Sequence, residues 1–416
     1  MITKLFKNAR IVTPSDPGKP LAGDDQGHVR LFEKGALVCR DGIIEAIGSE
    51  HEILSARPAQ KLNVEVDCAG RCLIPGFVDP HTHMCFAERR EQEFVQRIEG
   101  MDYLEILRRG GGILSSVQAV RASPEDKLFS VAHRHALSAL GFGTTTLEVK
   151  SGYGLDTNTE MKMLRVIERL NRETPLDVVP TFLGAHAVPP EYARTPEKYV
   201  DMLAQEMIPK VSAQGIARFC DVFCETGAFT LEQSRRILTH AREAGMDLKI
   251  HADEVHDLGG AGLAAELGAV SAEHLLAANE ENLAAMAAKG VIAVLLPATA
   301  YSLRKVYAPA RKMIDIGLPV ALATDCNPGS SYTESMPFVF GLAVLNMNLS
   351  AHEALTASTL NAAYAVGMAE TVGSLEPGKN ADFLLLDGEG PAVLAYHAGV
   401  SAVQAVYKRG ELVFAQ

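Results

Sequence analysis

The sequence predicts an α/β protein: a (β/α)8 barrel carrying a small β-rich domain formed by both termini. Three observations predict it. Short apolar strands alternate with amphipathic helical stretches through the middle of the chain, both ends are strand-rich, and the strands of the middle end in polar residues. Continuous apolar strands separated by helices imply parallel strands buried on both faces.

At the N-terminal end, "KLFKNARIV", "GALVCRDGIIEAIG" and "NVEVDCAGRCLIPG" alternate apolar and polar residues and break at Gly, Asp and Asn. At the C-terminal end, "GSLEPGKNADFLLLD" and "AVQAVYKRGELVFAQ" have the same character. Chain ends often lie close together, so residues 1–74 and 369–416 are expected to form one composite domain around a barrel of residues 75–368. Eight strand candidates follow: "CLIPGFVDPHTH", "GTTTLEVKSGYG", "LDVVPTFLGAHA", "RFCDVFCE", "DLKIHADE", "AVSAEHL", "GVIAVLLPAT" and "LPVALATDCNPG". Helical patterns such as "TEMKMLRVIERLNRE", "LEQSRRILTHAREAG" and "ENLAAMAAKG" lie between them, and "GGG" at 110–112 reads as a loop before a helix start. A doubly wound open sheet is the competing architecture. No G-x-G-x-x-G follows the first strand, which lowers its dinucleotide-binding form.

Composition narrows the partners. The chain has 416 residues, 39 of them basic and 51 acidic, for a formal charge of −12, and no basic stretch offers a nucleic-acid footprint. "MITKLFKNARIV" lacks a signal-peptide h-region, and no apolar run reaches the roughly 20 residues of a membrane span. A cytoplasmic protein is expected. Seven scattered cysteines, an odd number, fit buried free thiols better than a disulfide framework; the C-x3-C pairs Cys68/Cys72 and Cys220/Cys224 are weak zinc signals.

In a barrel all strand C-termini share one rim, and catalytic groups collect there. The polar residues at these ends are Asp79, His81 and His83; Glu148, Lys150 and Tyr153; His186; His251, Asp253 and Glu254; Glu273 and His274; Asp325 and Asn327. An isolated H-x-H is more often a surface turn than a metal site. On a strand, however, residues i and i+2 point the same way, so His81 and His83 could approach one ion together. His251 and Asp325 would complete a shell of three histidines and one carboxylate. Lys150 reads better as a lysine beside the site than as a carbamylated bridge to a second metal. In "CNPGSS", backbone N–H groups could bind a carboxylate. His133, His135, His240 and His256 fall in or beside helices, and His28, His51, His352 and His397 lie off the rim; these read as structural or solvated.

"FVDPHTH", the separated histidines and "ATDCNPG" resemble the metal-dependent amidohydrolase superfamily, which pairs this barrel with a small β domain. More narrowly, "DPHTHMCFAERREQEF", "YLEILRRGGGILSSVQAVRAS", "GTTTLEVKSGYGL", "TFLGAHAVPPEY", "FCDVFCETGAF", "KIHADE" and "LATDCNPGSS" resemble the imidazolonepropionase family of histidine degradation. Glu88 stands where that family's pattern has glycine, and "SSVQAVRAS" departs from the commoner run. The resemblance implies hydrolysis of the cyclic amide of 4-imidazolone-5-propanoate to N-formimidoyl-L-glutamate. It implies one Zn2+ or Fe3+ per chain on His81, His83, His251 and Asp325, and a homodimer. It further implies that Arg90, Tyr153 and His186 contact this small anionic substrate, with Glu254 near the ring. Asn327, Gly329 and Ser330 would lie near the product's polar groups, and His274 at the reacting centre. Glu254, His274 and Asp325 are the candidates for moving protons. Two readings compete: another amidohydrolase, such as a purine or pyrimidine deaminase or a hydantoinase-like ring opener, and a non-catalytic binding protein on the same fold. A deaminase would release ammonia; a non-catalytic relative should have lost a ligand, and none of the four is missing.

Overall fold

The computed structural model describes residues 2–56, 62–101, 105 and 111–416. Two sheets organise it. Strands β1 (Thr3–Pro14), β2 (Val29–Arg40), β3 (Ile43–Ser49), β4 (Val64–Asp67) and β5 (Cys72–Pro75) come from the N-terminal part. The barrel follows as β6 (Phe77–Asp79), β7 (Thr144–Lys150), β8 (Asp177–Ala185), β9 (Phe219–Cys224), β10 (Asp247–Ala252), β11 (Ser271–His274), β12 (Ile292–Leu295) and β13 (Val320–Leu322). Strands β14 (Phe383–Leu386), β15 (Val403–Lys408) and β16 (Glu411–Ala415) return to the first sheet, whose order is β16-β15-β14-β5-β1-β2-β3 with β4 on β1.

The ends of the chain meet through packing as well as pairing. Phe6 of β1 lies 4.8 Å from Phe383 of β14 and 5.1 Å from Tyr407 of β15, both edge-on, and the last two rings stack at 4.7 Å. Aromatic pairs in these geometries add to simple burial.

The expected first barrel strand, "CLIPGFVDPHTH", is divided. Cys72–Pro75 pairs with β14 in the terminal sheet, and only Phe77–Asp79 belongs to the barrel. Gly76 marks the break: a Cβ there would run into the Thr145 side chain, so only glycine lets the chain pass between the sheets. "GVIAVLLPAT" is also shorter as a strand, because Pro297 begins the helix Pro297–Leu303. The expected helices form with sequence-encoded starts. Asp156 caps Thr157–Glu173, a Thr230/Gln233 capping box opens Leu231–Glu243, and Asn279 caps Glu280–Lys289. The first part of "YLEILRRGGGILSSVQAVRAS", Gly110 included, falls largely outside the described residues; Gly111 and Gly112 lie in a loop, and a helix begins at Ile113 as expected.

Barrel strands β6 to β13 are all parallel, in chain order. The last strand returns to the first just past their named ends. Thr82 and Cys326 bridge in parallel, Asp325 N–H donates to His81 O at 3.0 Å, and His83 N–H donates to Cys326 O at 2.9 Å. Below this seam, Thr324 donates from its N–H and its hydroxyl to the buried Asp79 carboxylate, at 3.1 and 2.5 Å. All seven cysteines are free and buried. Among the described residues no helix is long and apolar enough to cross a membrane.

Candidate active site

The seam that joins the first and last strands also carries the H-x-H pair and Asp325. His81 is fully buried, and His83, His251 and Asp325 are each 3% exposed. Their side chains converge. His83 Nε2 lies 3.1 Å from His81 Nε2 and 3.2 Å from His251 Nε2, and Asp325 Oδ1 is 3.5 Å from both His81 and His83 Nε2.

These distances test whether a metal ion fits. Ligand bonds of about 2.1 Å in a tetrahedron place neighbouring donor atoms about 3.4 Å apart, close to the spacing here. Three imidazole nitrogens and a carboxylate oxygen turned toward one another direct their lone pairs at a common point, as the ligands of a metal ion do. Burial holds the His81 and His83 imidazoles well below their ordinary pKa, helped by Lys150 near His81 and by His186 near His83. Burial thus favours the neutral ring, the form that binds metal. The donor set fits a metal ion.

His251 is held from behind. Its Nδ1 is 2.9 Å from Asp221 Oδ2, and burial, which alone would lower its pKa, is more than offset by that carboxylate. A carboxylate behind a ligating histidine fixes its orientation and raises its basicity. Asp221 in turn lies 2.8 Å from Lys150 Nζ, which is 2.9 Å from Glu148. Lys249 Nζ continues the chain, 3.2 Å from Glu148, 3.8 Å from Glu273 and donating to Pro80 O at 3.1 Å. All five side chains are fully buried inside the barrel. Burial alone would lower the Lys150 pKa, but Asp221 and then Glu148 raise it. A carbamate forms only from a neutral amine, so this ion pairing argues against the bridging role weighed above.

Around the four convergent groups stand the other rim residues. His274 is 3% exposed, with its ring 5.3 Å from that of His251 and its Nδ1 3.9 Å from Glu254 Oε1. Burial lowers the His274 pKa to about 4, against the opposing pull of Glu254. One donor atom each from His81, His251 and His274 also lie within 4.8 Å of one another. His186 stacks on His83 at 4.9 Å and donates from Nδ1 to Gly152 O at 3.1 Å, which leaves its Nε2 as an acceptor. The Tyr153 ring is 6.2 Å from His83, and burial raises its hydroxyl pKa. Burial likewise pushes Asp325 up to about 7, partly countered by the Thr299 hydroxyl 2.5 Å from Oδ2.

Asn327 shapes the last loop. Its Nδ2 donates to Asp325 O at 2.7 Å, and its Oδ1 accepts the Gly329 and Ser330 N–H groups at 2.8 Å each. The Arg90 guanidinium packs against Gly329, where any Cβ would run into Nη2 and Cζ and crowd Nη1. Asp253, His274, Leu275 and Asp325 all have left-handed backbones, with φ of 50°, 70°, 61° and 54°. Such non-glycine conformations cost of order 1–3 kcal/mol each and cluster at working sites.

Not every polar strand end faces this centre. Asp79 closes the seam below it, Glu273 joins the interior charges, and Asp253 accepts the Leu258, Gly260 and Ala261 N–H groups at 2.9–3.0 Å. Two off-rim readings stand as structural contacts: His135 pairs with Glu334 at 2.5 Å, and His256 with Glu225 at 2.9 Å. Asp221, Lys249 and Thr299 were not anticipated. The signal for the first two was present: a charged residue inside the apolar strands "RFCDVFCE" and "DLKIHADE" has no water to face, so it must be paired.

Comparison with known proteins identifies the family. The amidohydrolase family model matches residues 72–413. The imidazolonepropionase of Syntrophobacter fumaroxidans is 64% identical over 98% of this chain and 96% of its own. That of Desulfotalea psychrophila is 62% identical over 99% and 100%, and that of Clostridium tetani 46% identical over 99% and 98%. Among solved structures, a 5-methylcytosine deaminase from Klebsiella pneumoniae superposes with a TM-score of 0.74 at 15% identity, covering 99% of this chain and 97% of the other. A zinc-bound adenosine deaminase from Xanthomonas campestris gives 0.71 at 18%, covering 100% and 93%. At such low identity these two show the shared fold alone. A buried three-histidine, one-carboxylate centre on a barrel rim, together with near full-length identity of 46–64%, leads to one conclusion: the chain is a hydrolase of the amidohydrolase family and belongs, within it, to the imidazolonepropionases.

Proposed function

We propose that this enzyme hydrolyses the cyclic amide of 4-imidazolone-5-propanoate to N-formimidoyl-L-glutamate, a step from L-histidine toward glutamate. The observation that carries the reading is the adjacency of two features. A buried donor set suited to a metal ion stands beside an arginine whose guanidinium faces the last loop. The first suits amide hydrolysis and the second suits a substrate with a carboxylate.

In this reading His81, His83, His251 and Asp325 hold one Zn2+ or Fe3+. When bound, such an ion lowers the pKa of water and polarises a carbonyl. The chain's own residues do the rest. Arg90 grips the propanoate with two parallel hydrogen bonds, as a planar guanidinium allows. Tyr153 and His186 line the ring, and Asn327, Gly329 and Ser330 meet the polar end of the product. Glu254 and His274, within 3.9 Å of each other, are a pair able to pass a proton to the leaving ring nitrogen, and Asp325 is the acceptor for the proton of the attacking water. The same reading takes a homodimer working in the cytoplasm, with residues 75–368 as the catalytic domain.

The test is direct. Purified enzyme is given freshly generated imidazolonepropanoate, and the loss of its ultraviolet absorbance is followed with and without a chelator. Turnover that the chelator abolishes and added metal restores supports the reading. Absence of turnover in metal-loaded enzyme, or release of ammonia, overturns it.

A further inference from the structure

Arg90 is the N-cap of the helix Glu91–Ile98, and no side chain caps that helix start. Three residues on, Glu93 occupies the position from which a carboxylate ordinarily reaches back to the N-cap N–H. Here it takes the guanidinium instead: Arg90 Nε donates to Glu93 Oε2 at 3.0 Å. The other oxygen accepts the Gly112 N–H at 3.0 Å and lies 3.2 Å from the Ser115 hydroxyl. Gly112 has φ 77° and ψ −163°, a conformation open to glycine, so the turn that presents this N–H is itself specialised. The Arg90 and Glu93 side chains are 16% and 18% exposed, which protects the pair from full solvent screening.

The consequence is directional. A guanidinium can take a carboxylate side-on through Nε and one Nη, or end-on through Nη1 and Nη2. Glu93 occupies Nε. The hydrogen bond that holds the guanidinium is the one from Nε, and its Nη1/Nη2 end rests against Gly329. Arg97 completes the corner by donating from Nη1 to Gly329 O at 3.2 Å. Its charge keeps the corner positive after Glu93 has neutralised Arg90, although burial and then Arg90 lower its pKa.

We infer that Glu93 is the positioning residue that sets carboxylate specificity. By holding Nε it turns Arg90 end-on, so that a ring substrate is accepted when its carboxylate arm reaches the Nη1/Nη2 edge. This rests on the function proposed above, in which Arg90 grips the propanoate.

The experiment uses metal-loaded enzyme and two unreactive probes, imidazole-4-propanoate and its neutral amide, with affinities measured by calorimetry. Glu93→Ala should weaken the carboxylate probe by about tenfold or more and the amide by less than about twofold. The KM for imidazolonepropanoate should rise in parallel, with kcat changed far less. Glu93→Gln, which keeps one acceptor for Nε, should recover part of the loss. Equal weakening of both probes would make Glu93 merely structural, and no weakening of the carboxylate probe would overturn the inference. If the parent enzyme fails to hydrolyse imidazolonepropanoate while probe selectivity still depends on Glu93, the proposed function falls and the positioning role stands.

Discussion

Lys150→Met probes the charged interior beneath the rim. The change keeps roughly the same volume but removes the cation that lies 2.9 Å from Glu148 and 2.8 Å from Asp221, all three fully buried. Breaking a buried ion pair by removing one partner costs about 3–5 kcal/mol. Unfolding entropy is about 2.1 cal/mol/K per residue, so for 416 residues a degree of melting temperature corresponds to about 0.9 kcal/mol. The melting temperature should therefore drop by about 3–6 °C in calorimetry. The loss should also depend on pH. Lys150 is one of the cations that hold the Asp221 carboxyl down, after His251, and without it burial moves that carboxyl upward, so the variant takes up a proton there more readily than the parent does. A group whose folded pKa is raised loses stability as pH climbs above its unfolded value of about 4. The deficit against the parent should be smaller at about pH 5.5 than at about pH 8. An unchanged melting temperature, or a deficit that grows on acidification, would refute the reasoning that these charges depend on one another.

Other perturbations separate the roles assigned at the rim. Arg90→Ala should raise KM roughly 12- to 140-fold, the equivalent of about 1.5–3 kcal/mol for a hydrogen bond to a charged group, with kcat less affected; steady-state kinetics decide, and an unaltered KM would move the carboxylate grip elsewhere. Gly329→Ala places a methyl group into the Arg90 guanidinium. Overpacking of about 1–3 kcal/mol should appear as a roughly 5- to 150-fold rise in KM, while metal content by atomic emission stays at the parent level. His274→Ala should lower kcat by about 10²–10⁴ with metal content retained; loss of the ion would make His274 a ligand instead.

The fold was legible because parallel strands buried on both faces must read as apolar runs, and this chain has eight of them between two alternating, turn-rich ends. The rim was legible for a related reason. A residue such as His251 or Asp325, at the end of an apolar strand, has only the barrel mouth to face. What the sequence concealed was the boundary at Gly76, where one apolar run feeds two different sheets with no change in composition. It also concealed Asp221 and Lys249. Each is a single charge in an apolar strand, and its partners come from neighbouring strands far away in the chain. Glu93 was hidden by its setting among other charges in "ERREQEF", which reads as a solvated helix face until the tertiary structure brings Gly112 to it.

The seam between β6 and β13 has a consequence for how the enzyme is made. His81 and His83 leave the ribosome early, and Asp325 follows only after more than half of the remaining chain. The strand pairing that brings them together, Thr82 with Cys326, spans the whole barrel. Strand β5, which leads into the H-x-H segment, waits longer still for its partner β14. A growing chain can therefore expose three of the four donor groups but cannot close them around an ion. On the proposed reading, the four groups can enclose an ion only once the last strand has closed the barrel, and a chain cut short before residue 325 would lack both the last strand contact and the only carboxylate of the set.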